Sequence, residues 1–495
     1  MIDESRAGRP GRVSNVIRNR LALAALFVLA ALAGFIFIRN LIDFPVYYAA
    51  GQSLLAGRTD LYSPDFARGP LMDYRYPPFF LLAFTPLWLL PYRIAAYVWY
   101  LLGVAEIGGC LAAVSRFSRK GGKPGTAKTQ SPQSERGRVA IWVVALLGVA
   151  QYLVMNLHYG NAQVITTFLV FAGLYLAMGH PVATAPGTVG DHNAAGAGGV
   201  EGKGRETWAA LLMALAITIK VTPALLLPYF AMKRRWRLLL LTGAFGVALN
   251  LAPALYFGPA GNARLLGEWY RHVVADQEFH EINGPVNLSM KGQLHRSLTR
   301  IDYGKRLDGD SNYPAVNLMR LSPEQVDRIW LILAACLFVV ILIWIWRAGT
   351  LPGEVGSGEQ QAVSRGLSFD QRRFLEIGVM ICLMLLVEPL TSKIYFVALM
   401  WPMWALLEFG YGRGERTTRA RAIATAAGAL AMVNVALPLL PGRSIQRLFL
   451  VLGTDFYLTC SILVLGLYSL MSNRSEAPSR AGEPQRKYRR AAKTP

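Results

Sequence analysis

Asp43 stands just past the end of the first apolar run, in Asp43-Phe44-Pro45-Val46-Tyr47-Tyr48. An acid at a membrane boundary is costly unless it serves a site. A carboxylate beside a reacting hydroxyl can take its proton as a new bond forms. The competing structural role is a helix N-cap, because Pro45 suits a helix start. Tyr47, Tyr48, Tyr62 and Tyr76 with Pro77-Pro78 follow within the same polar island, residues 40–78, and read as the wall of a shaped pocket. Four further groups carry polar chemistry at the ends of apolar runs: Asn161 with Gln163, Lys220, Asn287-Leu288-Ser289 leading to Arg296, and Lys393 shortly after Glu388-Pro389. Lys220 interrupts an apolar run, where a lysine either snorkels or serves a site. Arg296, with Arg271, His272 and Lys291, forms a cationic stretch that fits an anion or a solvated surface equally well.

Other acidic groups read as surface. Asp60 and Asp73 are turn residues, and Asp276-Gln277-Glu278-Phe279-His280-Glu281 is a solvated face. Asp308-Gly309-Asp310 begins like a calcium loop, but Met319 stands where the bidentate acid belongs. No metal ligand set or resident cofactor is expected. Cys110, Cys336, Cys382 and Cys460 all fall in apolar runs and read as packed thiols. No phosphate-binding glycine loop or nucleophile elbow occurs. An outward-facing site is cut off from soluble nucleotide donors, so a lipid-borne donor fits best. Its tail dissolves in the bilayer, its phosphate meets the cations, and Asp43 activates the acceptor hydroxyl.

The elements that must hold these residues are membrane helices. The 495-residue chain is 53% hydrophobic and 16% charged, with mean hydropathy +0.33, whereas soluble domains carry about 25% charge. The apolar runs are continuous rather than alternating, which favours helices over a barrel. The net charge of +21 gathers in short loops and tails, as cytoplasmic segments do, so nucleic acid is not an expected partner. The basic N-terminus resembles the start of a signal peptide, but its apolar run continues through Phe35-Ile36-Phe37-Ile38, the pattern of a retained span.

With the N-terminus inside, the runs 21–39, 79–116, 139–157, 161–179, 238–257, 326–346, 374–388, 392–409, 421–440 and 447–471 alternate across the bilayer. Run 79–116 makes one net crossing, with a short re-entrant helix before it. Run 207–231 is broken at Lys220-Val221-Thr222-Pro223 and reads as two short helices with Lys220 at their outer apex. The expected fold is an all-α polytopic bundle of about 10–12 transmembrane helices. A basic tail 1–20 and a disordered basic tail 472–495 flank the membrane domain 21–471. Outer loops are 40–78 and 258–325, and cytoplasmic linkers are 117–138, 180–206 (low-complexity) and 347–373. Both termini then lie in the cytoplasm of a multi-pass cell-membrane protein, and every polar group named above falls outside.

The block Asp43-Phe44-Pro45-Val46-Tyr47-Tyr48, Gly57, Leu61-Tyr62, Tyr76-Pro77-Pro78-Phe79 and Pro86-Leu87 resembles the family 87 glycosyltransferases, enzymes of the GT-C superfamily. Looser likenesses are Gly160-Asn161-Ala162-Gln163, the Lys220–Pro223 break and Asn287-Leu288-Ser289, over about residues 40 to 405. The resemblance implies a GT-C-type bundle and an inverting, metal-independent transfer of a hexosyl group, mannose by default. The donor is a polyprenyl-phosphate-sugar and the acceptor a glycan or glycolipid hydroxyl of the cell envelope. It implies Asp43 as base, with Tyr47, Tyr48, Tyr76, Asn161, Gln163, Lys220, Asn287, Ser289, Arg296 and Lys393 around the substrates. One departure is Leu390-Thr391-Ser392-Lys393, where the family favours an aromatic and a histidine; either Lys393 then takes the donor-phosphate contact or the sugar preference differs. The rival class is a transporter or lipid flippase, for which a break in the second half of the chain matching the one at Lys220 is missing.

Overall fold

A computed structural model describes residues 28–63, 74–119, 132–178, 192–275, 284–301, 313–349, 369–412 and 417–472. Among the described residues all regular structure is helical. Helix α1 (Val28–Asn40) bends by 72° into α2 (Phe44–Leu55). Two short pieces, α3 (Pro78–Ala83) and α4 (Thr85–Trp88), precede α5 (Tyr92–Arg119). A hairpin of α6 (Pro132–Tyr159) and α7 (Gln163–Met178) follows, then α8 (His192–Ile219). A 3-10 turn (Thr222–Leu226) and α9 (Leu227–Met232) run back to the start of α10 (Trp236–Leu251). Helices α11 (Ala254–Trp269), α12 (Met290–Leu298), α13 (Pro323–Gly349) and α14 (Phe369–Val387) come next. A 3-10 segment (Lys393–Leu399), α15 (Met400–Tyr411), α16 (Thr418–Ala436), α17 (Arg443–Leu452) and α18 (Thr454–Ser472) complete the order.

The chain is an all-α polytopic membrane protein. Six helices are long and apolar enough to cross a bilayer, or eight if each of two bent pairs counts as one span, among the described residues. The segment Lys393–Tyr411 is the core of the bundle, with 83% of its apolar window buried, whereas Pro323–Arg347 is peripheral at 17%. Trp401 shows why: its ring packs on Phe117, Phe171 and Phe374 while its N–H donates to the Phe374 carbonyl.

The hairpin α6–α7, the Lys220 apex and the helical step after Pro78 fall where the sequence places them. Four features differ. The segment read as linker 180–206 is helical from His192 despite its glycines, and Glu206 within it is anchored by Arg235 and Arg237. The outer loop 258–325 holds α11, a π-helical turn (Tyr270–Ala275) and α12; α11 turns 95° from α10. Gly258 (φ 73°) and Pro259 then kink α11 itself, a backbone conformation that glycine reaches without a Cβ clash. The run 447–471 is two helices, since Gly453 (φ 70°) ends α17 in a left-handed cap and leaves Thr454–Met471 as the span. The island 40–78 contains α2, whose Gln52 amide donates to the Trp88 carbonyl and fastens it to α4.

The bundle has two distinct ends. At one, Arg235 and Arg373 donate to the Ala177 and Met178 carbonyls that close α7. At the other lie Asp43, the α6–α7 turn, the Lys220 apex and the C-terminus of α14.

Candidate active site

Asp43 is the residue before α2, yet its carboxylate does not cap that helix. The chain is turned instead by backbone bonds: the Ile42 and Asp43 amides both donate to the Tyr159 carbonyl, at 3.2 and 2.8 Å. The carboxylate therefore faces the α6–α7 turn, where Asn161 Nδ2 donates to Asp43 Oδ2 at 2.8 Å. Gly160 makes that turn. Its φ of 64° is a backbone conformation that side chains rarely adopt, and an added Cβ would crowd Phe44 at 3.0 Å and Leu41 at 3.1 Å; its carbonyl accepts from the Trp99 indole. Asp43 lies in the linker beyond α1 and is 4% exposed. Burial pushes its carboxyl up from the ordinary 3.8 to about 6, opposed by the Asn161 hydrogen bond.

From Asp43 a chain of polar contacts runs across the end of the bundle. Asn161 Oδ1 accepts from the Gln163 amide at 2.8 Å. Gln163 Oε1 accepts from Lys220 Nζ at 2.9 Å. The ammonium lies 2.9 Å from the centre of the Tyr395 ring and 3.4 Å from Glu388 Oε1. Thr222 Oγ1 donates to the same Glu388 oxygen at 2.8 Å. Lys220 ends α8 because Pro223 cannot continue the helix, which frees its side chain to reach across to α14. A cavity of about 20 Å³ is bordered by Gln163, Thr166, Lys220, Thr222 and Glu388, room for a single water.

An aromatic wall stands beside Asp43. Tyr47 is buried and donates to the Tyr76 hydroxyl at 3.1 Å, and Tyr76 stacks on Phe80 with centroids 4.4 Å apart. Tyr62 fixes this segment by donating to the Tyr76 carbonyl, and Trp269 of α11 does so by donating to the Arg75 carbonyl.

Asp43, Tyr47, Tyr76, Asn161, Gln163 and Lys220 are thus brought together. Tyr48 is not: its hydroxyl donates to the Leu90 carbonyl, and its ring packs against Tyr92. Asn287 and Ser289 stitch the segment before α12 to the end of α14. Both donate to the Pro389 carbonyl, and Asn287 Oδ1 accepts from the Ser289 and Thr391 amides. Arg296 is 1% exposed and donates to the carbonyls of Val451, Gly284 and Asn287. Its guanidinium serves backbone rather than the Asp43–Lys220 chain. Lys393 is half-buried at the start of the 3-10 segment and has no hydrogen-bond or ion-pair partner among the described residues. Lys291 and His295 both reach Asp327. Asp60 is a turn residue bound by Arg58 and Ser63. Asp73, Asp276–Glu281 and Asp308–Asp310 lie outside the described residues.

Glu388, Thr222 and Tyr395 were not singled out by type or spacing. The available signal was an acid directly before Pro389 at the end of an apolar run. Among the described residues no group of three His, Cys, Asp or Glu could hold a metal ion.

Residues 74–357 match glycosyltransferase family 87. The chain belongs to that family. The match spans Asn161, Gln163, Lys220, Asn287, Ser289 and Arg296, and leaves Asp43, Glu388 and Lys393 outside it. A polyprenol-phosphate-mannose-dependent alpha-(1-2)-phosphatidylinositol pentamannoside mannosyltransferase of Mycolicibacterium smegmatis is 24% identical over 340 residues, 62% of this chain and 67% of that protein. No solved structure matches. As a family 87 member built of apolar helices, this protein is a multi-pass membrane glycosyltransferase.

Proposed function

We propose that the protein transfers a hexosyl group, mannose in the first instance, from a polyprenyl-phosphate-sugar to a hydroxyl of a lipid-linked or cell-envelope glycan. The observation that carries this reading is the buried acid joined through Asn161 and Gln163 to a lysine ammonium. A base and a cation on one end of a membrane bundle are the two groups that this transfer needs. Similarity to a polyprenol-phosphate-mannose-dependent enzyme supports the donor class.

In this reading Asp43 takes the proton of the acceptor hydroxyl. That oxygen bonds to the anomeric carbon from the face opposite the phosphate, and the anomeric carbon–oxygen bond breaks toward the phosphate. The electron pair leaves with polyprenyl phosphate, and Lys220 stabilises the charge that gathers there. Lys393 is the second cation available for the phosphate, and Tyr47 and Tyr76 form the wall beside the base. Asn287, Ser289 and Arg296 contribute by holding the loops in place. The Asp43 end faces away from the cytoplasm, because Lys233, Arg235, Arg237, Arg372 and Arg373 crowd the opposite end. Both termini then lie in the cytoplasm.

The test is transfer from radiolabelled polyprenyl-phosphate-mannose by purified protein, wild type against Asp43→Asn. Loss of a general base lowers turnover by about 10²- to 10⁴-fold. Equal turnover by the variant would remove Asp43 from the mechanism, and counterflow of substrate without covalent product would replace transfer by transport.

A further inference from the structure

The Lys220 ammonium carries three protons, and each already has a partner: Gln163 Oε1 at 2.9 Å, the Tyr395 ring at 2.9 Å and Glu388 Oε1 at 3.4 Å. The cavity beside them, about 20 Å³, has no room for a phosphate group. If Lys220 is to grip a donor phosphate, one partner must let go. Tyr395 sits in a segment whose neighbours Ile394, Phe396 and Val397 are buried in the bundle core. The Gln163 side chain makes the shorter bond to the ammonium and is tied back by its Nε2 donating to Thr167 Oγ1. Glu388 makes the longest of the three contacts and shares the same oxygen with Thr222. The backbone just beyond it is fixed, since the Pro389 carbonyl accepts from Asn287 and Ser289. The Glu388 carboxylate, with the longest contact, is therefore the partner that lets go at least cost.

We propose that Glu388 is a positioning residue that acts through Lys220 as an internal competitor. It vacates the ammonium when the donor phosphate arrives and returns to it to expel the polyprenyl-phosphate product. This rests on the donor reading above. Charge explains the need. The donor is a phosphodiester with one negative charge. The product is a monoester that carries more, because its second proton leaves near pH 6. A bare lysine would therefore hold product more tightly than donor and stall turnover. A carboxylate that stays close to the same ammonium repels the more highly charged product more than the donor and so offsets that preference.

The test is equilibrium binding of heptaprenyl phosphate to the full-length protein in detergent, with donor KM measured in parallel. Glu388→Gln keeps the shape and removes the competing charge. It should tighten heptaprenyl phosphate binding on the order of tenfold, the worth of one charge-assisted contact, and lower donor KM by less. Thr222→Val frees the shared carboxylate oxygen for Lys220 and should weaken heptaprenyl phosphate binding. A Glu388→Gln protein that binds the product equally or more weakly, as loss of a purely structural ion pair would give, overturns the proposal. So does Thr222→Val binding as well as wild type. Lys220→Met separates the two readings. Unchanged binding by that variant overturns the donor site itself. Lost binding by Lys220→Met together with an unmoved Glu388→Gln overturns only the role of Glu388.

Discussion

Asn161 offers the sharpest check on Asp43 as the base. Its amide donates to the carboxylate at 2.8 Å and pulls the carboxyl down against the desolvation that raises it to about 6. A hydrogen bond to a charged group contributes about 1.5–3 kcal/mol, and each pKa unit corresponds to about 1.4 kcal/mol. Asn161→Leu removes that bond, and water admitted to the site recovers part of the loss, so the carboxyl should rise by about one unit. Asp43 acts as a base only when ionised. The acid limb of kcat/KM, which reports the free enzyme, should move from about pH 6 to about pH 7. At about pH 6 the ionised fraction drops from about one half to about one tenth, a fivefold loss. At about pH 8.5 the two proteins should differ only by whatever looseness the lost amide causes. The assay is sugar transfer across that pH range with subsaturating acceptor. An acid limb that stays in place while activity falls equally at every pH would show that the limb does not belong to Asp43, and the assignment would fail.

The raised Asp43 carboxyl also makes the base a burden on the fold. The folded state favours the protonated form, so nothing is lost below about pH 4. Stability falls as pH rises from the unfolded value of 3.8 through about 6, by about 3 kcal/mol in full. Asp43→Asn should therefore raise the thermal midpoint at about pH 7.5 while abolishing transfer, with the gain vanishing toward about pH 4; a lower midpoint at neutral pH would contradict this. Arg296→Met leaves three backbone carbonyls without their buried donor, each worth about 1–3 kcal/mol. It should lower the midpoint while the folded fraction keeps its donor KM, whereas a raised KM at an unchanged midpoint would return Arg296 to the substrate site. Glu376→Gln breaks the ion pair between a fully buried carboxylate and the part-exposed Lys233 at 2.7 Å and should destabilise the bundle by less than the roughly 3–5 kcal/mol of a fully buried pair, read as a fall in midpoint with product affinity unaffected in the protein that remains folded.

Residue type and position carried much of this site. Asp43, Asn161, Gln163 and Lys220 each stand where an apolar run meets polar sequence, and chain reversal after each run returns them to one end of the bundle. Asn287, Ser289 and Arg296 share those same features, yet their polar atoms are spent on carbonyls of Pro389, Val451 and Gly284. A side chain that satisfies backbone and one that joins the candidate site look alike in sequence, because the deciding partners, Pro389 and Val451, come from segments roughly a hundred residues away or more. Glu388 was hidden for the converse reason: its contact is with Lys220, and nothing in its own neighbourhood announces the pairing. In the fold, hydropathy located the spans but not their bends. The turn between α10 and α11 and the cap at Gly453 depend on single residues inside apolar stretches.

The placement of two carboxylates along α14 bears on how the site could open without disturbing the bundle. Glu376 lies two turns into the helix and Glu388 directly follows its last residue, about 18 Å apart at helical rise, and the broken hairpin from Lys220 to Lys233 runs alongside. At the closed end Glu376 takes Lys233 at 2.7 Å, Arg372 at 3.0 Å and the Tyr229 hydroxyl at 3.0 Å, and is fully buried. At the site end Glu388 takes Lys220 at 3.4 Å and Thr222 at 2.8 Å, with 11% of its side chain exposed. The register of hairpin against helix is therefore set by the tighter cluster. A ligand that draws Lys220 away from Glu388 has to break one long contact beside a small cavity, not the packing of α9 on α14. A buried ion pair adds little net stability when its desolvation is counted. The looser pair is thus poorly explained as a structural fastener, and the proposed exchange gives it a value in how readily the lysine can change partners.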